Sequence, residues 1–157
     1  MTMQIFLKLD GVEGESADAH HKGEIELLGW TWGAGGLPAD DGDSVAKDGA
    51  PYARLVLRKH VDLASPVLMQ WGAEARHIPS GVLTTRRATG GEFLVVRMTD
   101  VRVISIAAVV AADDNQAMES LTLGFGKIEI EYRPALPNGS LGESRAFHWD
   151  FAANASF

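Results

Sequence analysis

The chain of 157 residues carries a formal net charge of −7 at pH 7 and contains no cysteine. This acidic balance argues against a nucleic-acid backbone or an anionic membrane as a partner, because both repel negative charge. The missing cysteines exclude disulfide bonds and thiolate chemistry. Hydrophobic residues make up 46% of the chain, which is enough for a packed core, so we expect one domain over residues 1–157.

The N-terminal part of the sequence predicts two strands around a polar loop. Apolar residues alternate at Ile5, Leu7 and Leu9, as in a half-buried strand. Residues 11–22 are polar and contain glycine, which is typical of a long loop or an extended arm. A second strand is expected at residues 24–33, where the apolar pattern resumes and ends in two tryptophans.

An acidic segment separates the second predicted strand from the third. Residues 37–51 combine turn-forming and acidic side chains, which favours a surface loop. In the third strand, at residues 52–61, Leu55, Leu57 and Val61 fall on alternate positions. Polar residues stand between them, so one face of this strand should be buried.

One convincing helix follows the third strand. Ser65 is expected to cap it with its hydroxyl, and Pro66 suits the first helical turn because its φ angle is fixed. Leu68 and Trp71 are then three residues apart, as on one helical face. The pattern predicts a helix over residues 66–76.

The later strands contain two changes of parity. A short strand is expected at residues 81–87 and a long one at residues 93–112, where the apolar positions change parity between Met98 and Val101. The following apolar segment changes parity at Gly126, and glycine suits a bulge. Two bent strands of this kind are expected where a sheet curls into a small barrel.

The C-terminal part, about residues 135–157, is expected to form a loop and a closing strand. Residues 134–142 are loop-forming, with a turn at Asn138-Gly139, and residues 147–151 would return as the last strand. The N-terminus has neither a basic region nor a long apolar run, so no cleavable signal peptide is expected. No apolar stretch is long enough to insert into a membrane as a spanning helix.

Two groups of polar residues resemble catalytic or metal-binding sets without having their pattern. The pair His20-His21 lacks the spacing and the further ligands of a metal site. His60, Asp62 and Ser65 are the residue types of a hydrolytic triad, but a GxSxG motif is absent and Ser65 is already expected to cap the helix. Neither group therefore predicts an active site.

Two further segments partly resemble ligand-binding loops, one for calcium and one for phosphate. The acidic run of Asp40, Asp41, Asp43 and Asp48 lacks the glycine and the glutamate of a calcium-binding loop. The glycine-rich residues 33–36 lack the Lys-Ser/Thr pair of a phosphate-binding loop. We therefore expect no metal, no cofactor and no enzymatic activity.

Six blocks of the sequence, in this order and at this spacing, resemble the Hcp family of type VI secretion tube proteins. The blocks are IFLKLDGVEGES at residues 5–16, HKGEIELLGWTWG at 21–33, LRKHVDLASPVL at 57–68, HIPSGVLTTRRA at 77–88, ESLTLGFGKIEIEYRP at 119–134 and FHWDF at 147–151.

This resemblance implies a mainly β fold, a small antiparallel β-barrel with one short helix, similar to phage tail-tube proteins. It implies homohexameric rings that stack into a tube, which a contractile sheath ejects from a baseplate with a spike at the tip. Effector proteins would travel in the lumen, and the protein would occur both in the cytoplasm and in the medium.

The resemblance also implies two functional surfaces. Thr31, between the two tryptophans, would line the lumen and contact cargo. The loops at residues 11–22 and 37–51 would be candidates for ring-to-ring stacking. The acidic residues of these loops that we consider candidates for stacking are Glu13, Asp18, Asp41, Asp43 and Asp48.

Three other functions compete with this interpretation. The chain could be the tail-tube protein of a related phage-like particle. It could also be a monomeric ligand-binding barrel with Trp30, Trp32 and Trp71 around a pocket, although core packing is the favoured role of the first two. A hydrolase using His60 and Asp62 is the third alternative.

Overall fold

The computed structural model describes residues 2–33, 53–88 and 90–157. Asp41, Asp43 and Asp48 lie outside these ranges. The elements within them, in chain order, are β1 Met3–Leu9, β2 Ile25–Leu27, β3 Gly29–Thr31, β4 Arg54–His60, α1 Ser65–Ala73, β5 His77–Arg87, β6 Glu92–Ala111, β7 Gln116–Gly124, β8 Lys127–Tyr132 and β9 Arg145–Asp150.

The described strands form one antiparallel sheet in the order β2-β1-β5-β6-β7-β4-β3, with β8 on β6 and β9 on β8. The two ends of this path, β2 and β3, are consecutive in the chain and separated only by Leu28. The Leu28 N–H donates to the Arg58 carbonyl at 2.8 Å. The mainly β, antiparallel class is therefore confirmed, and the sheet curls so that its two ends meet at Leu28; strand pairing among the described residues does not close it into a complete barrel.

β6 is the longest strand and pairs with β5, β7 and β8. It bends where the parity change predicts. Its first half pairs with β8, from Leu94–Tyr132 to Thr99–Lys127. Its second half pairs with β7 from Arg102–Gly124 onward. Between them, Asp100 has a φ of 56° and the Gly126 N–H donates to the Thr99 carbonyl at 2.8 Å. The two predicted parity changes lie opposite each other, so both strands bend together.

The barrel interior is filled with side chains. The largest apolar side chains that are fully buried there are Leu7, Leu9, Ile25, Leu55, Leu57, Leu68, Ile78, Leu83, Met98, Leu121 and Leu123. Gly72 lets α1 lie against β6, because a Cβ atom there would be 3.1 Å from the Val103 side chain. Burial of this many apolar side chains at about 25 cal/mol per Å² is the main stabilising contribution to the fold.

One inward position is charged, which the alternation of the third predicted strand did not indicate. The buried positions of β4 are Leu55, Leu57 and Lys59. Val61, expected to face the core, is 38% exposed because β4 ends at His60.

The predicted capping role of Ser65 is wrong. The residue before the helix is Ala64, and no side chain caps the helix start; Pro66 lies in the first turn as expected. The Ser65 hydroxyl instead accepts a hydrogen bond from the Asp62 N–H at 2.9 Å. The helix ends at Ala73, three residues earlier than predicted, and Ala75 follows with a φ of 52°.

Further predicted elements differ from the structure in their bounds or are confirmed by it. The predicted strand at residues 24–33 is divided into β2 and β3, because its two halves pair with different neighbours. β5 begins at His77 and not at residue 81. The closing strand is present as β9, and the turn at Asn138-Gly139 is confirmed by a φ of 88° at Gly139. Among the described residues, no helix is long and apolar enough to cross a membrane.

Candidate functional site

The hairpin of β6 and β7 has a free β6 edge and a tip that extends beyond β4, whose pairing with β7 ends at Met118; we call residues 103–117 the arm. Val103 at its base is buried against α1. The pairing of β5 with β6 reaches only as far as His77 opposite Arg102. Beyond this point, the edge of β6 that faces away from β7 has no partner strand among the described residues. The ten residues from 103 to 112 carry no charge. Val109 and Val110 are 67% and 70% exposed. An uncharged apolar edge of this kind associates with other chains unless it is covered.

Thr31 lies on the exposed surface at the end of β3, opposite Val56 of β4. Its neighbours Trp30 and Trp32 are half-buried and pack against the core, as predicted. The Trp30 indole N–H donates to the Thr85 hydroxyl at 3.2 Å. Thr31 is therefore held at a defined place on the surface, and its position in a lumen stays a prediction.

The polar segment after β1 is a compact loop; we call residues 11–24 the folded loop. It is closed by backbone hydrogen bonds from Gly14 N–H to the Gly23 carbonyl at 2.7 Å and from Gly23 N–H to the Ser16 carbonyl at 2.8 Å. A Cβ atom on Gly14 would lie 2.4 Å from the Glu24 carbonyl oxygen, so only glycine fits. Glu13, one of the stacking candidates, is exposed on this loop.

Asp18, the second described stacking candidate, is engaged within its own subunit. Its carboxylate forms an ion pair with Arg86 of β5 and accepts the His20 N–H at 2.9 Å. These hydrogen bonds, the one from Arg86 above all, lower the pKa of the Asp18 carboxyl to about 2. Asp18 therefore fixes the folded loop to the barrel, and its contribution to stacking stays untested.

His21 forms a second connection between the folded loop and the barrel. Its ring is buried, with Nδ1 3.0 Å from Glu24 Oε1 and Nε2 2.6 Å from Glu92 Oε1 at the start of β6. One face of the ring stacks on Phe6 with a centroid distance of 4.4 Å. In the sequence, His21 was considered only together with His20 as a metal-binding pair, and that role was not expected.

A buried ionic cluster fills the space between β4, β7 and the start of α1. Lys59 Nζ lies 2.6 Å from Glu119 Oε1, 2.8 Å from Asp62 Oδ1 and 3.1 Å from the Ser65 hydroxyl. Lys59 and Glu119 are directly opposite each other in the ladder, and both side chains are fully buried. The second carboxylate oxygen of Glu119 has no hydrogen-bond partner within the described part of the chain.

The ionic cluster excludes the triad that the sequence suggested. The Ser65 hydroxyl donates to Glu119 Oε1 at 2.9 Å, while His60 is exposed on the opposite face of β4. Ser65 is 1% exposed, so no substrate can reach it. The sequence did not predict that Lys59 and Glu119 are buried. Each stands at an alternate position with the buried leucines of its strand, which was the available signal.

The structure also bears on the ligand alternatives. Within the described residues, no three His, Cys, Asp or Glu side chains are grouped as a metal site would require. Trp30, Trp32 and Trp71 are partly buried and pack against the core. A cleft of about 330 Å³ lies between residues 8–13 and 22–24, lined by both basic and acidic side chains.

The family model described as type VI secretion system effector, Hcp, matches residues 6–132. The chain belongs to the Hcp family. Protein hcp1 of Pseudomonas aeruginosa is 29% identical over 159 residues, which cover 98% of each chain. The crystal structure of Hcp1 from Salmonella typhimurium is 31% identical, covers all of both chains and has a TM-score of 0.83.

A second solved structure, described as that of a type six secretion system protein, is 26% identical over 99% of this chain and 100% of its own, with a TM-score of 0.85. The present chain is thus an Hcp protein, a secreted structural component of the type VI secretion tube. The mainly β fold with one short helix that the resemblance implied is thus confirmed by the likeness to the Salmonella structure.

Proposed function

We propose that this Hcp chain assembles into homohexameric rings that stack into the inner tube of a type VI secretion machine, which carries effector proteins in its lumen. A ring is a head-to-tail assembly that closes on itself, so each subunit must present two different complementary surfaces. The observation that supports self-assembly most strongly is the arm, an apolar sheet edge that a neighbouring subunit would cover.

The arm needs a partner for a physical reason. Natural sheet edges are usually protected by charged residues, proline or bulges, and the arm has no charge or proline from residue 103 to 112. Pairing between subunits would satisfy its backbone groups and remove Val109 and Val110 from water. Closure of the ring leaves no subunit with an uncovered arm.

The mass of the assembly tests this proposal first. Six copies of 16.9 kDa give about 101 kDa. Light scattering should report a species near this mass, and negative-stain images of the same fraction should show rings with an open centre. A monomer that persists at high protein concentration would contradict the proposal and favour the monomeric barrel, because dilution alone can dissociate a ring.

Within the tube, Thr31 is proposed to face the lumen, where its small polar side chain would contact cargo. Thr31→Gln should change which effectors co-purify with the rings while their mass stays the same. Ala153→Gln, an exposed site of the C-terminal turn, is the matched control. Unchanged cargo with Thr31→Gln would remove the support for this assignment.

The remaining partners follow from the same mechanism. A sheath would propel the tube from a baseplate, and a spike would lead it, so that the protein passes from the cytoplasm to the medium. Secretion should then stop when the sheath is deleted. Release that persists in such a strain would contradict this route.

A further inference from the structure

The folded loop is fastened to the barrel by two ionic contacts of different kinds. Asp18 pairs with Arg86 on β5, and His21 bridges Glu24 of the loop and Glu92 at the start of β6. The Asp18 carboxylate keeps its charge down to about pH 2, because its pKa is about 2. Histidine, in contrast, ordinarily changes its charge near pH 6.5.

The geometry around His21 requires a specific protonation state. Both ring nitrogens face carboxylate oxygens, at 3.0 Å for Glu24 and 2.6 Å for Glu92. An ionised carboxylate can only accept, so each nitrogen must carry a hydrogen. Only the imidazolium ion has two N–H groups. A neutral imidazole would direct one lone pair at a carboxylate oxygen.

Among the residues that the structure describes, Glu24 and Glu92 are the hydrogen-bond partners of the His21 ring nitrogens. From β1, the Phe6 ring stacks on its face. From β5, the Arg86 guanidinium lies 5.0 Å from the Phe6 centroid and is paired with Asp18. Lys22, the next residue in the chain, is exposed. The two glutamates therefore decide which charge state of His21 fits.

We propose that His21 is a pH-sensitive latch, which holds the folded loop against β6 when the ring is protonated and releases that contact when the ring loses its proton. The contact is complete at mildly acidic pH and is lost as pH rises. Since the folded loop is a candidate stacking surface, the latch would also regulate ring stacking; this consequence rests on the proposed function.

Hydrogen exchange of the loop amides tests the latch directly. Protection factors for residues 12–24, corrected for intrinsic rates, should fall about three- to tenfold between about pH 5.5 and about pH 8. The midpoint should coincide with the titration of the His21 ring followed by NMR. Equal protection at both pH values, or a midpoint separate from the ring titration, would overturn the proposal.

Two variants make the test specific. In Glu92→Gln, the amide can donate to a bare Nε2 while Nδ1–H still bonds Glu24, so a neutral ring fits and the pH dependence should largely disappear. His20→Gln changes the neighbouring exposed histidine and should behave like the wild type. Retention of the full pH dependence in Glu92→Gln would contradict the latch. This result does not depend on whether a variant of His21 itself folds.

The consequence for stacking has a separate readout. Tube length in negative-stain images should change with pH in the wild type and in His20→Gln, and much less in Glu92→Gln. If no rings form at all, the proposed function fails while the exchange experiment still decides the latch. If tubes form with a length independent of pH while exchange changes, the latch does not regulate stacking.

Discussion

At the scale of single residues, the most informative feature is the buried pair of Lys59 and Glu119. Removing two charges from water costs several kcal/mol for each ion, which only short contacts and further hydrogen bonds can offset. Here Asp62 and the Ser65 hydroxyl provide such contacts, and they connect α1 to both strands of the wall. We infer that the cluster fixes the position of the helix on the barrel.

Lys59→Met should destabilise the subunit by about 3–5 kcal/mol, because it leaves Glu119 buried without a counter-charge. The double variant Lys59→Met/Glu119→Leu should recover much of this loss. Urea unfolding at one fixed protein concentration gives both values, since assembly shifts the apparent stability. A double variant that loses the sum of the two single effects would show that the charges do not stabilise each other.

Asp18 predicts a pH dependence of stability in the acid range. Its folded pKa of about 2 lies below the ordinary value of 3.8, so its stabilising contribution is complete above about pH 4 and is lost as pH falls toward 2. Asp18→Asn should therefore lower the thermal midpoint at pH 5 and lose less than the wild type on acidification. Asp114→Asn, at the exposed tip of the arm, is the control. Parallel acid curves for wild type and Asp18→Asn would contradict the assignment.

At the scale of elements, the long strand β6 serves two purposes. Its first half lies between β5 and β8 and belongs to the barrel wall. Its second half pairs with β7, which in turn pairs with β4 as far as Met118, and forms the open edge of the arm; only the tip beyond Met118 consists of β6 and β7 alone. The bend at Asp100, together with the irregular register between Val103 and Ser105, marks the change from one role to the other.

Val109→Glu should prevent ring formation without weakening the subunit. The side chain is 67% exposed, so the stability of the subunit should change by less than about 0.5 kcal/mol. A charge on the apolar edge would oppose pairing with a second chain. Light scattering should show a mass below that of the ring, and Ala153→Glu should leave the mass unchanged. Normal rings from Val109→Glu would exclude the arm from the subunit interface.

At the scale of the whole molecule, the proposed assembly would bring many negative charges together. With a net charge of −7 per chain, the proposed rings would repel one another unless acidic loops meet basic partners. The acidic residues of segment 37–51 are the part of the stacking hypothesis that lies outside the described residues. The contribution of these acidic residues to stacking is therefore tested on the assembled rings and not on the single subunit.

Replacing residues 37–51 with a short Gly-Ser linker should preserve the mass of the ring and shorten the tubes. Light scattering and negative-stain images of the same preparation separate these two effects. A linker of similar length that keeps the four aspartates is the control for charge. If tubes of ordinary length assemble from the Gly-Ser variant, this segment has no role in stacking.

The sequence by itself determined the local structure. Alternating apolar positions indicated the strands, the proline indicated the helix start, and two parity changes located the bend shared by β6 and the β7–β8 segment. These features depend on residues that are close in the chain. The order of six sequence blocks was also enough to indicate the Hcp family.

Only the tertiary structure decided which polar side chains meet. Lys59 and Glu119 are 60 residues apart and His21 and Glu92 are 71 apart, so no local period connects them. They come together because the strand register places them there, and register depends on how all the strands pair around the barrel. For the same reason Ser65 belongs to a buried ionic cluster and not to a helix cap. Burial in a closed core, where an unpaired charge is costly, selects the partner of each such group.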